Sequence, residues 1–432
     1  MKRQGSLLLL LVILLLPLGA ESLDLETSLN LALENNLDFQ VSKIGLETAS
    51  RENDHSWNNY LPSLSASAGV TGSDSFSEPD SDSWSSWADF DASLSLSPSK
   101  TLDVEELELA YQSELLTLET DRLELINKVE TAFYGLLASS RNIDIEEANL
   151  ALAEKRYEST QAEFDRGMTS ELSVLQAKVN AANIKPAYLQ AVSDYETDLR
   201  EFLTLIGLDT DTQVELVGTL DTPTQEFDSD VLIDTYLSNR RDILEAQKNL
   251  EVLENSRKQE AADNRSPYLT LSAGWTPEYD DPFEGGLGDS DYYSDSLSLK
   301  AYVTIPLDDW IPGSDTSDSI ASYKDDIRAA ELSLEKTREE AKTEIINYVE
   351  QLETAAANLE LSRLNVELYK LTYEKSEESY NQGGMEQLDL EDAQQDYFSA
   401  EQDYLESQYS YLEGLINLRY ALGLESLDEI IQ

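Results

Sequence analysis

The chain has 432 residues, with 86 acidic against 30 basic side chains, a formal net charge of −56 and no cysteine. The charge argues against nucleic acid or an anionic membrane surface as a partner. The lack of cysteine excludes disulfides, thiolate metal sites and a lipid-modified N-terminal cysteine. The single histidine, His55, leaves almost no capacity for zinc binding or for acid–base catalysis near neutral pH. We therefore expect no cofactor and no enzymatic activity.

Residues 1–20 have the pattern of a secretory signal peptide. Two basic residues precede an apolar run over 7–16, and Gly19 and Ala20 provide small residues for cleavage after Ala20. The run is too short for a transmembrane helix, and no later segment offers about 18 consecutive apolar residues. The sequence therefore predicts an exported protein that would have to enter a membrane with strands.

A first repeat is predicted over 21–208, where amphipathic helical segments give way to strand-like alternation. Strands are predicted at about 63–72 and 87–97, and one face of the second carries Ala88, Phe90, Ala92, Leu94 and Leu96. A helical hairpin follows over 102–206, with a turn at Gly167 and a kink or local break at Pro186. A first arm of roughly 60 residues would be about 90 Å long, so it must pack against other long helices.

A connector over 209–230 leads to a second repeat over 231–424 with the same order of elements, and a tail follows over 425–432. Its strands are predicted at about 268–275 and 296–306, with an apolar face made by Leu269, Leu271, Leu297, Leu299 and Val303. Its helical hairpin spans 318–422 and turns at Gly383-Gly384.

The spacing between the repeats is not uniform. The turn glycines Gly167 and Gly383 lie further apart in the sequence than Pro62 and Pro267, the prolines that precede the first strand of each repeat. We therefore expect about eleven extra residues in the second repeat, near its outer loop.

Each predicted strand has one apolar and one polar face, as a wall between lipid and water requires. Four strands cannot close a membrane barrel, which takes at least about eight, so several copies would share one barrel. The alternation fits a second interpretation equally well. A soluble four-stranded sheet could pack its apolar face on helices and turn its polar face to solvent.

Eight segments, in the same order as in a known family, carry a resemblance over essentially the whole mature chain. They read ALENNLDFQVSKIGLETA, NNYLPSLSASAGV, VETAFYGLLASSRNIDI, FDRGMTSELSVLQAKVNAA, FLTLIGLD, YVTIPLDDW, SYNQGGMEQLDLEDA and LRYALGLE. Each is weak alone, but together they make the chain similar to the TolC-like outer-membrane efflux proteins. The corner at LSPSKTLDVEE departs from that family, which usually has a proline-hydrophobic turn with glycines there.

The resemblance implies a mainly α-helical fold with antiparallel β-structure that assembles as a homotrimer. Strands from three subunits would form one twelve-stranded β-barrel in outer-membrane lipid, continued by a helical tunnel in the periplasm. Such proteins are passive exit ducts of tripartite efflux or type I secretion systems, in which an inner-membrane pump and a periplasmic adaptor act. The competing hypothesis is a soluble periplasmic coiled-coil adaptor or scaffold with a small β domain.

The resemblance also assigns roles to the two glycine turns. Asp389 and Asp392 would form a carboxylate ring at the periplasmic aperture, and a spacing of three puts both on one helix face. The alternative is an ordinary solvated acidic face; the first-repeat equivalents, Ser173 and Gln176, are uncharged. The predicted adaptor contact consists of the two tips, Gly167, Met168, Gly383, Gly384 and Met385. A purely structural role in the turns would also account for the glycines.

Aromatic residues cluster near the predicted strand ends, as a membrane-interface girdle would. They are Trp84, Trp87, Trp275, Tyr292 and Tyr293. Packing within loops or a core is the alternative.

Overall fold

The computed structural model describes residues 21–73, 83–280, 293–427 and Glu429, so the predicted signal peptide lies outside the described residues. The strands are β1 Glu21–Leu23, β2 Ser63–Ser73, β3 Ser83–Leu96, β4 Val214–Leu216, β5 Tyr268–Asp280 and β6 Tyr293–Thr304. The helices are α1 Leu25–Asn35, α2 Leu37–Asp54, α3 Ser99–Asp165, α4 Glu171–Leu205, α5 Ser229–Tyr236, α6 Arg241–Arg265, α7 Asp315–Asn381 and α8 Gln387–Ala421. Short 3₁₀ helices occupy Ser56–Tyr60, Leu237–Asn239 and Asp308–Trp310. None of the helices in the described ranges has the length and apolar character needed to cross a membrane.

The two helical hairpins correspond residue for residue. Helices α3 and α7 both have 67 residues, and α4 and α8 both have 35. Both ends of each arm in the second repeat follow their counterparts by the same sequence distance that separates Gly383 from Gly167. Each arm of the first hairpin is therefore as long as the corresponding arm of the second, and the two tips can reach the same level.

The helix does not break at Pro186, because α4 continues through that residue. A proline removes one helical hydrogen bond, to the carbonyl of the residue four positions earlier. Here Pro186 and Ala182 are both exposed, so water can solvate the freed carbonyl and the helix is maintained.

The long strands form one antiparallel sheet in the order β2-β3-β5-β6, which leaves β2 and β6 as edges. Cross-strand partners share a face, and the register pairs Ala92 with Leu64, Leu94 with Leu271, and Ala273 with Leu299. One face is therefore apolar across all four strands, and it includes all ten residues expected there from the alternation. The opposite face carries mainly serine, threonine and aspartate side chains.

Trp87 does not belong to the apolar face. It pairs with Gly69 across the β2–β3 ladder, and its indole Nε1 lies 3.3 Å from Thr71 Oγ1 on the polar face. The indole covers Gly69 so closely that a Cβ added there would lie 2.7 Å from the ring. The grouping of Trp87 with an outward girdle is thus wrong, since strand parity puts it on the opposite face from Trp84. Tyr292 lies outside the described residues.

The extra residues of the second repeat lie mainly at the base of the sheet and not near the outer loop. Only residues 97–98 separate β3 from α3, whereas residues 305–314 separate β6 from α7. The longer corner contains the 3₁₀ helix Asp308–Trp310. Hydrogen bonds from Arg265 Nε to Asp309 O (2.8 Å) and from Thr316 Oγ1 to Asp309 Oδ1 (2.6 Å) hold this corner against α6 and α7.

The helices pack side by side, with α3 in contact with α2, α4, α6 and α8, and α7 in contact with α6 and α8. Around the lower hairpins the order is α4-α3-α8-α7, so α4 and α7 are the edges of a protomer. The main core lies at mid-height, where the parallel pair β1–β4 ties the connector to the start of the described chain. Leu23, Phe133, Phe202 and Ile206 are buried there.

A buried ion pair joins α3 to the end of α8. The Nη2 of Arg419 lies 3.0 Å from Glu130 Oε2, and both side chains are almost completely inaccessible to solvent. Arg419 also donates to the backbone carbonyl of Glu425 at 3.0 Å and to Asn127 Oδ1 at 3.3 Å. Burial raises the pKa of Glu130 from its ordinary 4.5 to about 7, although Arg419 lowers it in part.

This pair should make stability depend on pH. The pKa of Glu130 is higher in the folded than in the unfolded state. The protonated Glu130 side chain therefore contributes fully to the free energy of unfolding below about pH 4.5, and this contribution is lost as pH rises through about 7. Each pKa unit corresponds to about 1.4 kcal/mol, so the free energy of unfolding of the parent protein should fall by about 3 kcal/mol over this pH range. We expect Glu130→Gln to have the same free energy of unfolding as the parent protein at pH 4 and a higher one at pH 8, measured by guanidinium titration in detergent. The exposed Glu406→Gln should follow the parent at both pH values; equal pH dependence in Glu130→Gln and the parent would contradict the assignment.

Candidate functional site

Both hairpin tips are closed by the same backbone motif. Gly167 and Gly383 have φ values of 75° and 76°, the left-handed conformation that glycine adopts without strain. The Gly167 N–H donates to Phe164 O at 2.8 Å, and the Gly383 N–H donates to Tyr380 O at 2.9 Å. The next residue in each tip donates to the carbonyl five positions earlier at 2.9 Å, which completes a Schellman motif. A Cβ at either glycine would meet open space, so the turn requires glycine for its backbone conformation alone.

The two predicted aperture residues lie together on one face of α8. Asp389 and Asp392 are exposed, whereas Leu390 and Ala393 between and beside them are buried against the hairpin. Glu391 is half-buried, and its Oε1 accepts a hydrogen bond of 2.7 Å from Gln387 Nε2. The structure thus separates Glu391 from the pair and leaves Asp389 and Asp392 facing solvent in the protomer.

The two tips differ in charge. Residues 367–396 contain nine acidic and two basic side chains, whereas the equivalent residues 151–180 contain five and four. At the first tip, Ser173 is half-buried and bonded to Ser170, and Gln176 is exposed. Unbalanced acidic charge is therefore concentrated at the second hairpin tip.

The acidic face of α8 extends beyond the predicted pair. Asp396, Asp403 and Glu406 are exposed and continue the spacing of three and four residues that begins at Asp389. This spacing keeps side chains on one side of a helix in a coiled-coil-like bundle. The sequence analysis missed these residues, although the heptad spacing of the carboxylates was a usable signal.

The predicted adaptor contacts are unequal in accessibility. Met168 is exposed and Met385 is half-buried. Five residues beyond each turn glycine, Leu172 and Leu388 are both strongly exposed. The sequence analysis assigned these two leucines no role, because exposure cannot be read from spacing alone. Each tip therefore presents an apolar side chain at the same place.

An aromatic cluster holds the second hairpin together above its tip. The rings of Tyr373 on α7 and Tyr397 on α8 are stacked at 6.0 Å, and Phe398 lies 5.3 Å from Tyr397. Tyr397 donates a short hydrogen bond to Glu401. Burial and this hydrogen bond raise the pKa of Tyr397, so its hydroxyl stays protonated as a donor. Among the described residues, no group of histidine and carboxylate side chains could hold a metal ion.

The comparisons with known proteins agree on one architecture. The family model described as outer membrane efflux protein matches residues 28–208 and 232–424. Among solved structures, the Campylobacter jejuni CmeC outer membrane channel is 18% identical, with a TM-score of 0.76 over 94% of this chain and 88% of that one. CusC is 15% identical, with a TM-score of 0.75 over 93% and 92% of the two chains. The open state of the Neisseria gonorrhoeae MtrE outer membrane channel is 20% identical, with a TM-score of 0.74 over 93% and 89%.

No curated protein sequence matches the chain. The identities to the solved structures establish the fold only, whereas the family match covers both repeats and all of the hairpin tips. The predicted fold class, mainly α-helical with antiparallel β-structure in a TolC-like arrangement, is confirmed. The chain belongs to the outer membrane efflux protein family.

Proposed function

We propose that three copies of this chain form the passive exit duct of a tripartite efflux or type I secretion system. The observation that carries the proposal is the sheet, which has two unpaired edges and an apolar face that no described helix of the protomer covers. Leu299 on that face is 75% exposed, and the main contacts of each long strand are with its neighbouring strands. An isolated protomer with such a surface would aggregate in water.

The height of the apolar face fits a lipid bilayer. It extends on β5 from Leu269 at the base to Tyr279, which lies against Tyr293 on β6. Ten residue steps span about 33 Å along a strand, or about 25 Å along the membrane normal at the tilt of membrane barrels. That is the height of the outward apolar band of outer-membrane barrels.

Closure by three copies uses both free edges. Pairing β6 of one protomer with β2 of the next would give one twelve-stranded barrel without an edge. The polar face, with Asp89, Asp91 and Lys300 among hydroxyl side chains, would then line water. The rival soluble scaffold requires the apolar face to be buried against helices, yet Phe90 is 46% exposed.

Apolar stripes on the two edge helices support the trimer. On α4, Leu172, Leu175, Val179 and Leu189 are exposed, and on α7 the same holds for Leu361, Leu364, Leu368 and Leu371. Both stripes follow the spacing of three and four residues found in coiled-coil seams. Among the described helices, none of the same protomer covers either stripe.

The stripes also match in height. Val179 lies as far after Gly167 in the sequence as Leu371 lies before Gly383. Leu189 and Leu361 are likewise at equal sequence distances from the same two glycines, further from the tips. With the tips level, α4 of one protomer and α7 of the next would bury leucine against leucine or valine, at about 1.5–3 kcal/mol per fully buried side chain.

In this assembly the tips form the periplasmic end. Asp389 and Asp392 from three copies would converge as a carboxylate ring that favours cations and narrows the duct. Gly167, Met168, Gly383, Gly384 and Met385 would meet a periplasmic adaptor, and an inner-membrane pump would supply the energy. In this proposal, a signal peptide over residues 1–20 directs export of the chain.

Disulfide trapping tests the seam without background, because the chain has no cysteine. Val179→Cys combined with Leu371→Cys should give covalent trimers on oxidation, since height-matched positions can reach the separation of about 4.4–6.8 Å between Cα atoms that a disulfide needs. Non-reducing electrophoresis measures the yield.

The matched control for the trapping combines Val179→Cys with Leu361→Cys. Leu361 lies ten positions before Leu371 in α7, which moves the second cysteine about 15 Å along the helix, so the control should stay monomeric. Equal trapping in both variants, or none in either, would contradict the α4–α7 seam.

Conductance in planar bilayers tests the aperture. Asp389→Ala with Asp392→Ala should increase conductance several-fold and reduce the preference for cations, because it removes both the constriction and its charge. Glu391→Ala, in the same turn but bonded to Gln387, should behave like the parent. If the pair and the control gave the parent's conductance, Asp389 and Asp392 would be ordinary surface charges.

A further inference from the structure

A second exposed apolar surface lies outside the strands, at the base of the sheet. We call it the basal collar, and it consists of Trp57, Tyr60, Leu61, Leu307, Trp310 and Ile311, all exposed. Trp57 is 54% and Trp310 61% exposed, which is unusual for the largest apolar side chain. The proposed duct assigns no role to these residues.

The two halves of the basal collar lie beside the two edge strands. Trp57 and Tyr60 belong to the 3₁₀ helix that leads into β2, and Trp310 belongs to the one that follows β6. If β6 of one protomer pairs with β2 of the next, Trp310 and Trp57 of adjacent copies come to the same seam. The basal collar would then form three aromatic clusters, one below each seam of the barrel.

The basal collar continues the apolar face of the sheet. Ile305 and Leu307 follow β6 with the same parity as Leu299 and Val303, and both are exposed. Pro62, which precedes β2, lines a shallow groove with Ala92, Leu94 and Leu271 of that face. The surface that we assign to lipid therefore extends towards both corners.

A cation lies within the second corner. The Arg265 guanidinium carbon is 5.7 Å from the centroid of the Trp310 ring, a cation–π distance. Trp310 Nε1 donates to Arg265 O at 3.2 Å, and Arg265 Nε donates to Asp309 O at 2.8 Å. These contacts fix Arg265 at the base of the sheet. One face of its guanidinium group, the fork of the side chain, lies against the indole of Trp310.

We propose that the basal collar binds the headgroup layer of the periplasm-facing leaflet, with a phospholipid phosphate at the Arg265 fork. The proposal rests on the membrane duct proposed above. Tryptophan and tyrosine prefer the membrane interface because an apolar ring and a polar N–H or O–H must be satisfied together. A guanidinium matches two phosphate oxygens with parallel hydrogen bonds. The additional residues of the β6–α7 corner thus act as a membrane anchor that the first repeat lacks at its equivalent corner.

Depth-dependent quenching tests the basal collar, because the chain has only five tryptophans. Four variants each retain one of Trp57, Trp310, Trp275 and Trp87, with the others changed to Phe. Trimers are reconstituted in phosphatidylethanolamine–phosphatidylglycerol vesicles that carry a quencher either near the headgroup or deep in the acyl chains. We expect Trp57 and Trp310 to be quenched at least about twofold more by the shallow label than by the deep one.

The other two tryptophans separate the possible failures. Trp275, on the apolar face, should be quenched more by the deep label, and Trp87, on the polar face, should respond to neither. If Trp275 behaves as expected but Trp57 and Trp310 are shielded from both labels, a neighbouring copy or another protein covers the basal collar and the inference is wrong. If Trp275 is also shielded, the membrane duct itself is wrong.

The phosphate contact has its own test. Arg265→Gln should lower the affinity of the detergent-solubilised trimer for phosphatidylglycerol about tenfold, the usual effect of losing a charge-assisted pair. Arg328→Gln, an exposed arginine on α7, should retain the parent affinity. Arg265→Lys keeps the charge but loses the fork, so an intermediate affinity supports phosphate binding by the guanidinium. Unchanged affinity in Arg265→Gln would overturn the phosphate site.

Discussion

The structure depends on apolar surface that a single protomer cannot cover. Within the described part of the chain, no α-helix packs against either face of the sheet, and the outer sides of α4 and α7 carry leucine and valine stripes in contact with solvent. A chain of this size normally divides into two or three compact domains, each around its own core, but here the main core is confined to mid-height around Phe133 and Phe202. The remaining apolar surface is arranged in bands, which suits lipid on one level and neighbouring copies on another.

The internal repeat makes this arrangement geometrically possible. Identical helix lengths in the two hairpins bring both tips to one level, so a stripe on α4 can meet a stripe on α7 at equal distance from the turns. The repeats then diverge where their surroundings differ. The second tip carries the carboxylates, and the second corner carries the additional residues with Trp310. The proposed assembly of identical copies would thereby acquire alternating tips and alternating corners.

Local patterns in the sequence were sufficient for the fold but not for all of the site. Alternation in the strands and the turn glycines act over a few residues, and together with the family motifs they predicted the fold class that is confirmed. Trp87 was misplaced because its face depends on strand parity carried through a serine-rich segment. The Glu130–Arg419 pair joins residues from different repeats, and no local signal connects them. Exposure of Trp57 and Trp310 likewise depends on the corner geometry, which the sequence analysis left open.

The large negative charge constrains how the copies can associate. In the proposed trimer, three chains, each with a net charge of −56 over the full sequence, would repel one another, and at physiological ionic strength the repulsion is screened beyond about 8 Å. Long, thin hairpins keep most carboxylates on water-facing sides, while the α4 and α7 stripes would bring uncharged side chains to the proposed seam. Screening would be least effective at the tips, where Asp389 and Asp392 of three copies would converge in the proposed ring. In the proposed trimer, closure at that end would work against electrostatic repulsion, and the hydrophobic seams above it would have to hold the helices together.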